Sequence, residues 1–145
     1  MIRKYTEKDR EQTLVMMKEF YSSEAVEHPI PEKNMIATLD EAQKGSPYLD
    51  LYILECGKEC AGYALTAYTF SNEAGGKVVW IEEIYVSARF RGKGLGGEFL
   101  RFVKKQYGDF ARIRLEVEES NDGAVRLYCR EGFRPLGYTQ YVIDK

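Results

Sequence analysis

A glycine-rich run lies between an apolar segment and an amphipathic one, and this arrangement limits the folds open to the chain. The run is Arg89-Phe90-Arg91-Gly92-Lys93-Gly94-Leu95-Gly96-Gly97. A strand-like segment, Val78 to Val86, precedes it, and a helix-like segment, Leu95 to Tyr107, begins within it. A strand, a glycine-rich turn and a helix N-terminus in this order bring backbone N–H groups and the positive end of a helix dipole together. The run therefore predicts a phosphate site, to which the arginines add full charges.

The glycines themselves also indicate a ligand. Four of them, Gly92, Gly94, Gly96 and Gly97, fall within six residues around the predicted helix start. A glycine inside a helix costs roughly 1 kcal/mol relative to alanine. Close approach of the backbone to a bound anion is the simplest reason for a chain to carry this cost.

Two familiar phosphate motifs fit this run poorly. Gly92, Gly94 and Gly97 satisfy G-x-G-x-x-G, and Glu116 lies near the spacing of a ribose-binding acid. That dinucleotide fold needs a second half, yet fewer than fifty residues follow Gly97. A Walker loop needs Ser or Thr after its lysine, whereas Lys93 is followed by Gly94.

Length and composition predict one domain, residues 1–145, of a globular protein. Hydrophobic residues make up 44% and charged residues 30% of the chain, and no apolar run is long enough to cross a membrane. The net charge of −2 argues against a nucleic-acid partner. We also expect no membrane partner, and the N-terminus has no apolar signal core, so we expect a cytoplasmic protein.

The cysteines predict neither a disulfide framework nor a metal site. Their number is odd (Cys56, Cys60 and Cys129), which fits a reducing compartment. Cys56 and Cys60 flank a predicted Gly57-Lys58 hairpin turn, but a zinc site would need two further ligands. The single histidine, His28, is distant in sequence.

Hydrophobic periodicity predicts the element order β-α-α-β-β-β-α-β-α-β. Thr6 and Asp9 resemble a capping box before the first helix, and the second helix is predicted over Glu32 to Gln43. Asn121 is placed to cap the last helix, and Phe133 to Ile143 is left for a final strand or pair.

The segment Lys77 to Ser87 is apolar on both faces, which is typical of a central strand. Simple alternation places Trp80, Ile84 and Val86 on one face and Val79, Ile81 and Tyr85 on the other. It also points Glu82 and Glu83 to opposite faces.

Two motifs together resemble the GCN5-related N-acetyltransferase (GNAT) superfamily. Arg89-x-x-Gly92-x-Gly94 matches its (Q/R)-x-x-G-x-(G/A) signature and follows a strand ending Glu82-Glu83-Ile84-Tyr85-Val86. The segment Asn121…Ala124…Tyr128…Gly132-Phe133 resembles the downstream segment of that family. The resemblance covers the whole chain, with specific motifs in residues 80–133. It implies an α/β fold in which a mixed central sheet, flanked by helices, has splayed fourth and fifth strands.

The resemblance also implies acetyl-CoA as co-substrate, without a metal, and an enzyme that acetylates an amine. The pyrophosphate of CoA is expected on the N–H groups of Arg91 through Gly97, and its pantetheine arm along Ile84 to Val86. The implied cofactor-binding residues are Ile84, Tyr85, Val86, Arg89, Arg91, Gly92, Lys93, Gly94, Leu95, Gly96, Gly97, Asn121, Ala124 and Tyr128.

Catalytic roles are implied for three side chains. Tyr128 is the expected general acid for the CoA thiolate, since a phenol with a pKa of about 10 can donate only when held against the sulfur. Glu82 and Glu83 are candidates for taking the proton of the amine, directly or through water, because burial raises the pKa of a carboxyl group. Glu82 is preferred, although either glutamate could instead bind the substrate's amine.

The acceptor is expected to be a small cationic amine such as a polyamine. Glutamates and tyrosines cluster in the segments that line the acceptor pocket of this family, and Tyr21, Glu24 and His28 are predicted to bind the substrate. A protein N-terminus, a lysine side chain or an aminoglycoside are the alternatives. An acyl-CoA sensor without catalysis is the alternative from another class, and a homodimer stays open.

Overall fold

Five strands form one sheet in the order β1-β2-β3-β4-β5, in a computed structural model that describes residues 1–145. The strands are β1 (Ile2–Lys4), β2 (Leu49–Cys56), β3 (Glu59–Ser71), β4 (Gly76–Val86) and β5 (Arg112–Leu115). The helices are α1 (Arg10–Tyr21), α2 (Glu32–Gln43), α3 (Leu95–Gln106) and α4 (Asp122–Arg130). This order matches the sequence prediction up to residue 130.

The first four strands are antiparallel to their neighbours, and only β5 runs parallel to β4. Parallel neighbours need a crossover connection, which α3 supplies. The β4–β5 ladder is short, from Val78 opposite Arg112 to Ile81 opposite Leu115. The two strands then separate, as the splay prediction requires.

Helices cover both faces of the sheet, so that the architecture is the predicted mixed α/β arrangement. Side chains of α1 and α2 pack with Ile53, Tyr63 and Tyr85 on one face. The amphipathic stripe of α3 packs with Tyr52 and Val79 on the other face, where α4 also lies. We call these the α1 face and the α3 face.

A β-bulge at Glu82 makes the predicted face assignment of β4 wrong. Leu65 pairs with Glu83, whereas the next residue, Thr66, pairs with Ile81. The extra residue reverses the alternation beyond it. Val79 and Ile81 therefore lie on the α3 face together with Ile84 and Val86, while Tyr85 lies on the α1 face.

The predicted final strand over residues 133–143 is also wrong. Residues 134–145 make no backbone–backbone hydrogen bond, and Tyr141, Val142 and Ile143 are largely exposed. Only side chains attach this segment: Tyr138 donates to Glu73, and Gln140 donates to Glu116. Strand-like composition did not produce a strand because no neighbour pairs with the segment.

Several local predictions are confirmed. The N–H of Thr6 donates to the Asp9 carboxylate at 2.9 Å, and the helical chain begins there with a short 3₁₀ turn. Asn121 accepts from the N–H of Ala124 at 3.2 Å and caps α4. Gly57 forms the β2–β3 turn with a φ of +66°. None of the helices has the length and apolar character that a membrane crossing requires.

Candidate active site

A cleft opens where β4 and β5 separate. Its volume is about 110 Å³, and its walls come from β4, the chain after β5, helix α4 and the region at the end of α1. Carboxylates are prominent among the lining side chains: Glu82, Glu83, Glu116 and Glu118. Asn121, Ala124 and Tyr128 of the predicted site lie in the same cleft.

Beside the cleft, the start of α3 presents unpaired backbone donors. The six N–H groups from Gly92 to Gly97 donate to no carbonyl of the chain. Gly92 and Gly94 have φ values of +76° and +81°, a conformation that glycine adopts without strain. Because these donors gather at a helix N-terminus, they form a place for an anion.

The N–H of Arg91 differs from the prediction. It donates to the carbonyl of Ala88 at 3.3 Å, closing a 3₁₀ turn over Ala88–Phe90. The free donors therefore begin one residue later than the sequence predicted. The Arg91 side chain donates from Nε to the carbonyl of Val86 at 3.1 Å, whereas Arg89 pairs with Glu59 at 2.9 Å. Both arginines stay at the surface beside the loop.

Two glycines bring α3 and α4 close together. A Cβ on Gly96 would lie 3.2 Å from one methyl group of Leu127, and a Cβ on Gly97 would lie 3.6 Å from the other. This tight contact positions the residue after Leu127, Tyr128, next to the beginning of α3. The glycines of the run thus serve both the free N–H groups and the packing of α4.

Glu83 is held by two tyrosines on the α1 face. Its carboxylate accepts from the hydroxyl of Tyr63 at 2.7 Å and from that of Tyr21. Burial raises the pKa of Glu83, against the opposing effect of these two hydrogen bonds. Glu83 is therefore a positioned carboxyl group that binds protons more readily than an ordinary glutamate.

Glu82 occupies the bulge and accepts no hydrogen bond from the protein. Desolvation in the cleft raises its pKa, and the negative charges of Glu116 and Glu83 raise it further. Its residue is otherwise exposed, so its carboxyl group can be reached from solvent. This combination suits a group that accepts a proton from an incoming molecule.

Tyr128 lies across the cleft with a free hydroxyl. The ring packs edge-on against Phe133, with centroids 6.1 Å apart, and the hydroxyl makes no hydrogen bond within the chain. Burial raises the pKa of Tyr128 above its usual value, which keeps the phenol protonated at neutral pH. The side chain is available as a proton donor to a group in the cleft.

Of the three residues predicted to bind the acceptor, only one lies near the cleft. Tyr21 reaches the cleft through its hydrogen bond to Glu83. Glu24 and His28 are exposed in the loop between α1 and α2, where His28 lies 3.7 Å from Glu27, and neither lines the cleft. Phe20 and Ala25 line it instead.

The backbone of residues 84–86, where the resemblance places the pantetheine arm, borders the gap and has no β5 partner. The cysteines Cys56, Cys60 and Cys129 are all free.

Sequence reasoning missed two sets of residues. Tyr63 was not selected, because its contact with Glu83 depends on the β3–β4 register, which the bulge shifts. Arg114 and Trp80, which pair across the β4–β5 ladder, were read only as strand residues. The cation above the aromatic ring, 3.9 Å from its centroid, is a tertiary contact without a sequence signal.

Comparisons with known proteins agree with this geometry. The acetyltransferase (GNAT) family profile matches residues 14–133. Over 70 residues, or 46% of both chains, the protein is 36% identical to a spermine/spermidine N(1)-acetyltransferase of Bacillus subtilis (strain 168). Over 82 residues, or 55% of this chain and 48% of the relative, it is 33% identical to a thialysine N-epsilon-acetyltransferase of Sus scrofa. The matches span about half the length of these curated relatives.

Solved structures share the whole fold. A structure of AAC(6')-Iy in complex with a bisubstrate analogue has a TM-score of 0.81 and covers 100% of this chain and 97% of that one. The sequence identity is 16%, so this likeness concerns the fold.

Proposed function

This chain belongs to the GNAT acetyltransferase family, and from that premise we propose that it transfers the acetyl group of acetyl-CoA to a small primary amine. One juxtaposition carries the proposal. Six free N–H donors at the start of α3 lie next to a cleft that contains two carboxyl groups and a tyrosine, all with raised pKa values. An anion site beside an acid and a base fits a phosphate-bearing acyl donor.

The residues that would hold CoA fit its chemistry. Backbone N–H groups from Gly92 to Gly97 would receive the pyrophosphate, and Lys93, with its ammonium 5.0 Å from the Phe90 ring centroid, would add positive charge at the surface. The edge of β4 over residues 84–86 would receive the pantetheine arm by β-type pairing. When bound, the co-substrate supplies an activated thioester.

The reaction is a direct attack on that thioester. The amine nitrogen bonds to the carbonyl carbon, the C–S bond breaks, and the products are an acetamide and CoA. Glu82 takes the proton from the nitrogen, because its carboxyl group is accessible and makes no hydrogen bond within the protein. Tyr128 protonates the leaving sulfur. Glu83, fixed by Tyr21 and Tyr63, adds negative charge that favours a cationic amine.

A cationic small molecule is the acceptor class that the cleft supports best. Four glutamates line the cleft, and the curated relatives that match are named for small amines. Polyamines, for which the Bacillus subtilis relative is named, therefore belong to the proposed class of acceptors. The chain has both Tyr128 and Glu82, which an acyl-CoA sensor would not need, and this favours an enzyme.

CoA release with a panel of amines tests this proposal. Tyr128→Phe is expected to lower kcat roughly 100-fold, the scale of one general acid, while the KM for acetyl-CoA changes little. Tyr48→Phe is the matched control, since Tyr48 is 72% exposed and its hydroxyl makes no hydrogen bond. If the wild-type protein bound acetyl-CoA and no amine raised thiol release above hydrolysis, the proposed function would be wrong.

A further inference from the structure

A second cavity of about 350 Å³ adjoins the cleft on the α1 face of the sheet. No helix covers the sheet there, and the unpaired segment after α4 forms the outer wall. Six of its lining residues are Glu73, Trp80, Arg112, Arg114, Tyr138 and Gln140. We call it the arginine cavity.

The arginine cavity contains one cation without a partner. Arg112 pairs with Glu73 at 2.9 Å, and Glu73 also accepts from the Tyr138 hydroxyl at 2.8 Å. Arg114, in contrast, makes no hydrogen bond and no ion pair. Its guanidinium lies on the Trp80 ring, 3.9 Å from the centroid, which fixes the plane of the group. Its N–H donors stay free for a planar anion.

The charges in the arginine cavity sum to one positive charge. Glu73 offsets Arg112 and leaves Arg114 uncompensated. A singly charged carboxylate matches this balance better than a dianionic phosphate.

The arginine cavity and the cleft share a wall. Gln140 lines the cavity and donates to Glu116, which lines the cleft. Along β4, Trp80 precedes Glu82 and Glu83 by two and three residues. Because Trp80 pairs with Ala67 and Glu83 with Leu65, Trp80 and Glu83 lie two ladder steps, about 7 Å, apart along the strand and on the same face.

The combined site is therefore bipolar, with carboxylates at the reacting end and a guanidinium at the far end. We propose that the acceptor is a diamino carboxylic acid of about the length of lysine, acetylated on its terminal amine, whose carboxylate binds Arg114. This inference rests on the proposed function and narrows its substrate class. A polyamine has a second ammonium group in place of the carboxylate, and this group would be repelled by the guanidinium of Arg114.

Lysine and cadaverine form a matched pair of acceptors, because cadaverine is lysine without its carboxylate. With the wild-type protein, we expect kcat/KM for lysine to exceed that for cadaverine roughly tenfold or more, the value of a charge-assisted hydrogen bond. Arg114→Gln should lower the value for lysine by a similar factor, leave cadaverine unchanged or improved, and leave the KM for acetyl-CoA unchanged. Arg130→Gln, at an exposed arginine without an ion pair, is the control.

The outcomes separate this inference from the proposed function. If cadaverine or spermidine is acetylated as well as lysine or better, and Arg114→Gln does not change that order, the carboxylate subsite is wrong and the enzyme stands. If no amine releases CoA, the proposed function is wrong, and calorimetry with lysine in the presence of CoA decides the subsite. Lysine binding that Arg114→Gln abolishes would support the subsite, and absence of binding would overturn it. Thermal unfolding of both variants checks their folding.

Discussion

The two halves of β4 differ although they belong to one strand. The paired half, residues 78–81, has a strand on each side and buries Val78, Val79 and Ile81. The open half, residues 82–86, pairs only with β3 and carries Glu82 and Glu83. In the paired half, the backbone groups on both edges of the strand bond to neighbouring strands. In the open half, the edge that faces away from β3 has no strand partner.

One inserted residue separates the halves. The bulge at Glu82 reverses which face each later side chain occupies, and it lies where β5 leaves the sheet. As a result, the open half sends two apolar side chains, Ile84 and Val86, to the α3 face and Glu83 to the tyrosines of the α1 face. The contrast indicates that the cleft depends on the bulge as well as on the sequence around it.

Deletion of Glu82 is the strongest way to break this contrast. Deletion makes the ladder regular, because Glu83 still pairs with Leu65 and Ile81 with Thr66, so Glu83 keeps its place on the α1 face while the bend at the bulge and the Glu82 carboxyl group are lost. We expect the deletion variant to keep cooperative thermal unfolding, measured by circular dichroism, and to acetylate amines more slowly than Glu82→Ala, with kcat/KM roughly 100-fold or more below the wild type, the scale of one general base. Glu82→Ala retains the bulge and should unfold within a few degrees of the wild type. A deletion variant that acetylates amines as well as Glu82→Ala would contradict the proposed role of the bulge.

A smaller change, in the affinity for CoA, is expected from a substitution in the loop that follows the open half. Gly94→Ala places a Cβ at a φ of +81°, which costs roughly 1–2 kcal/mol and meets no atom within 4 Å. The loop should relax away from this conformation, and the Kd for CoA should rise roughly tenfold in calorimetry. Gly45→Ala is the control, with a φ of +69° and equally open space after α2.

Both glycine variants should lose similar stability, and only Gly94→Ala should lose CoA affinity. If Gly94→Ala and the wild type bound CoA with equal affinity, the N–H groups after Gly92 would not be part of the CoA-binding site.

The smallest effect is a change in the pH dependence of stability. Because the folded protein raises the pKa of Glu83 above its unfolded value of about 4.3, the folded state binds the proton more tightly. Stability from this group is present below pH 4.3 and is lost as pH rises through the folded pKa. Glu83→Gln should therefore show a flatter decline in the free energy of unfolding from acidic to neutral pH.

Urea unfolding at a series of pH values measures this difference. Glu82→Gln is the companion variant, because Glu82 also has a raised pKa. A steeper decline for Glu83→Gln than for the wild type would show that the sign is wrong.

The elements of the fold were largely predictable from local pattern. The second helix was predicted over the residues that α2 occupies, and the stripe of Leu95, Phe99 and Val103 lies buried on α3 as expected. Helical spacing and caps are properties of neighbouring residues, so the sequence displays them directly. The strand predicted over residues 133–143 was wrong because pairing requires a partner that composition does not specify.

The candidate site was predictable only where the residues that form it are close together in the sequence. The glycine run and the Asn121–Phe133 motif identified the residues near the anion site and Tyr128. The Tyr63–Glu83 contact and the Arg114–Trp80 stack were missed, since each joins residues from different strands. His28 is predicted to bind the substrate because it lies in the segment that lines the acceptor pocket of the family, yet its side chain is exposed outside the cleft.

The sequence by itself determined the helices and strands up to residue 130, the free N–H groups of a glycine-rich helix start, and the family. These depend on the backbone preferences and side-chain spacing of adjacent residues. Only the tertiary structure decided which face Glu83 occupies, where the cleft opens and that Arg114 is left without a carboxylate. Those features depend on strand register, and a single extra residue at Glu82 changes the register without leaving a local pattern.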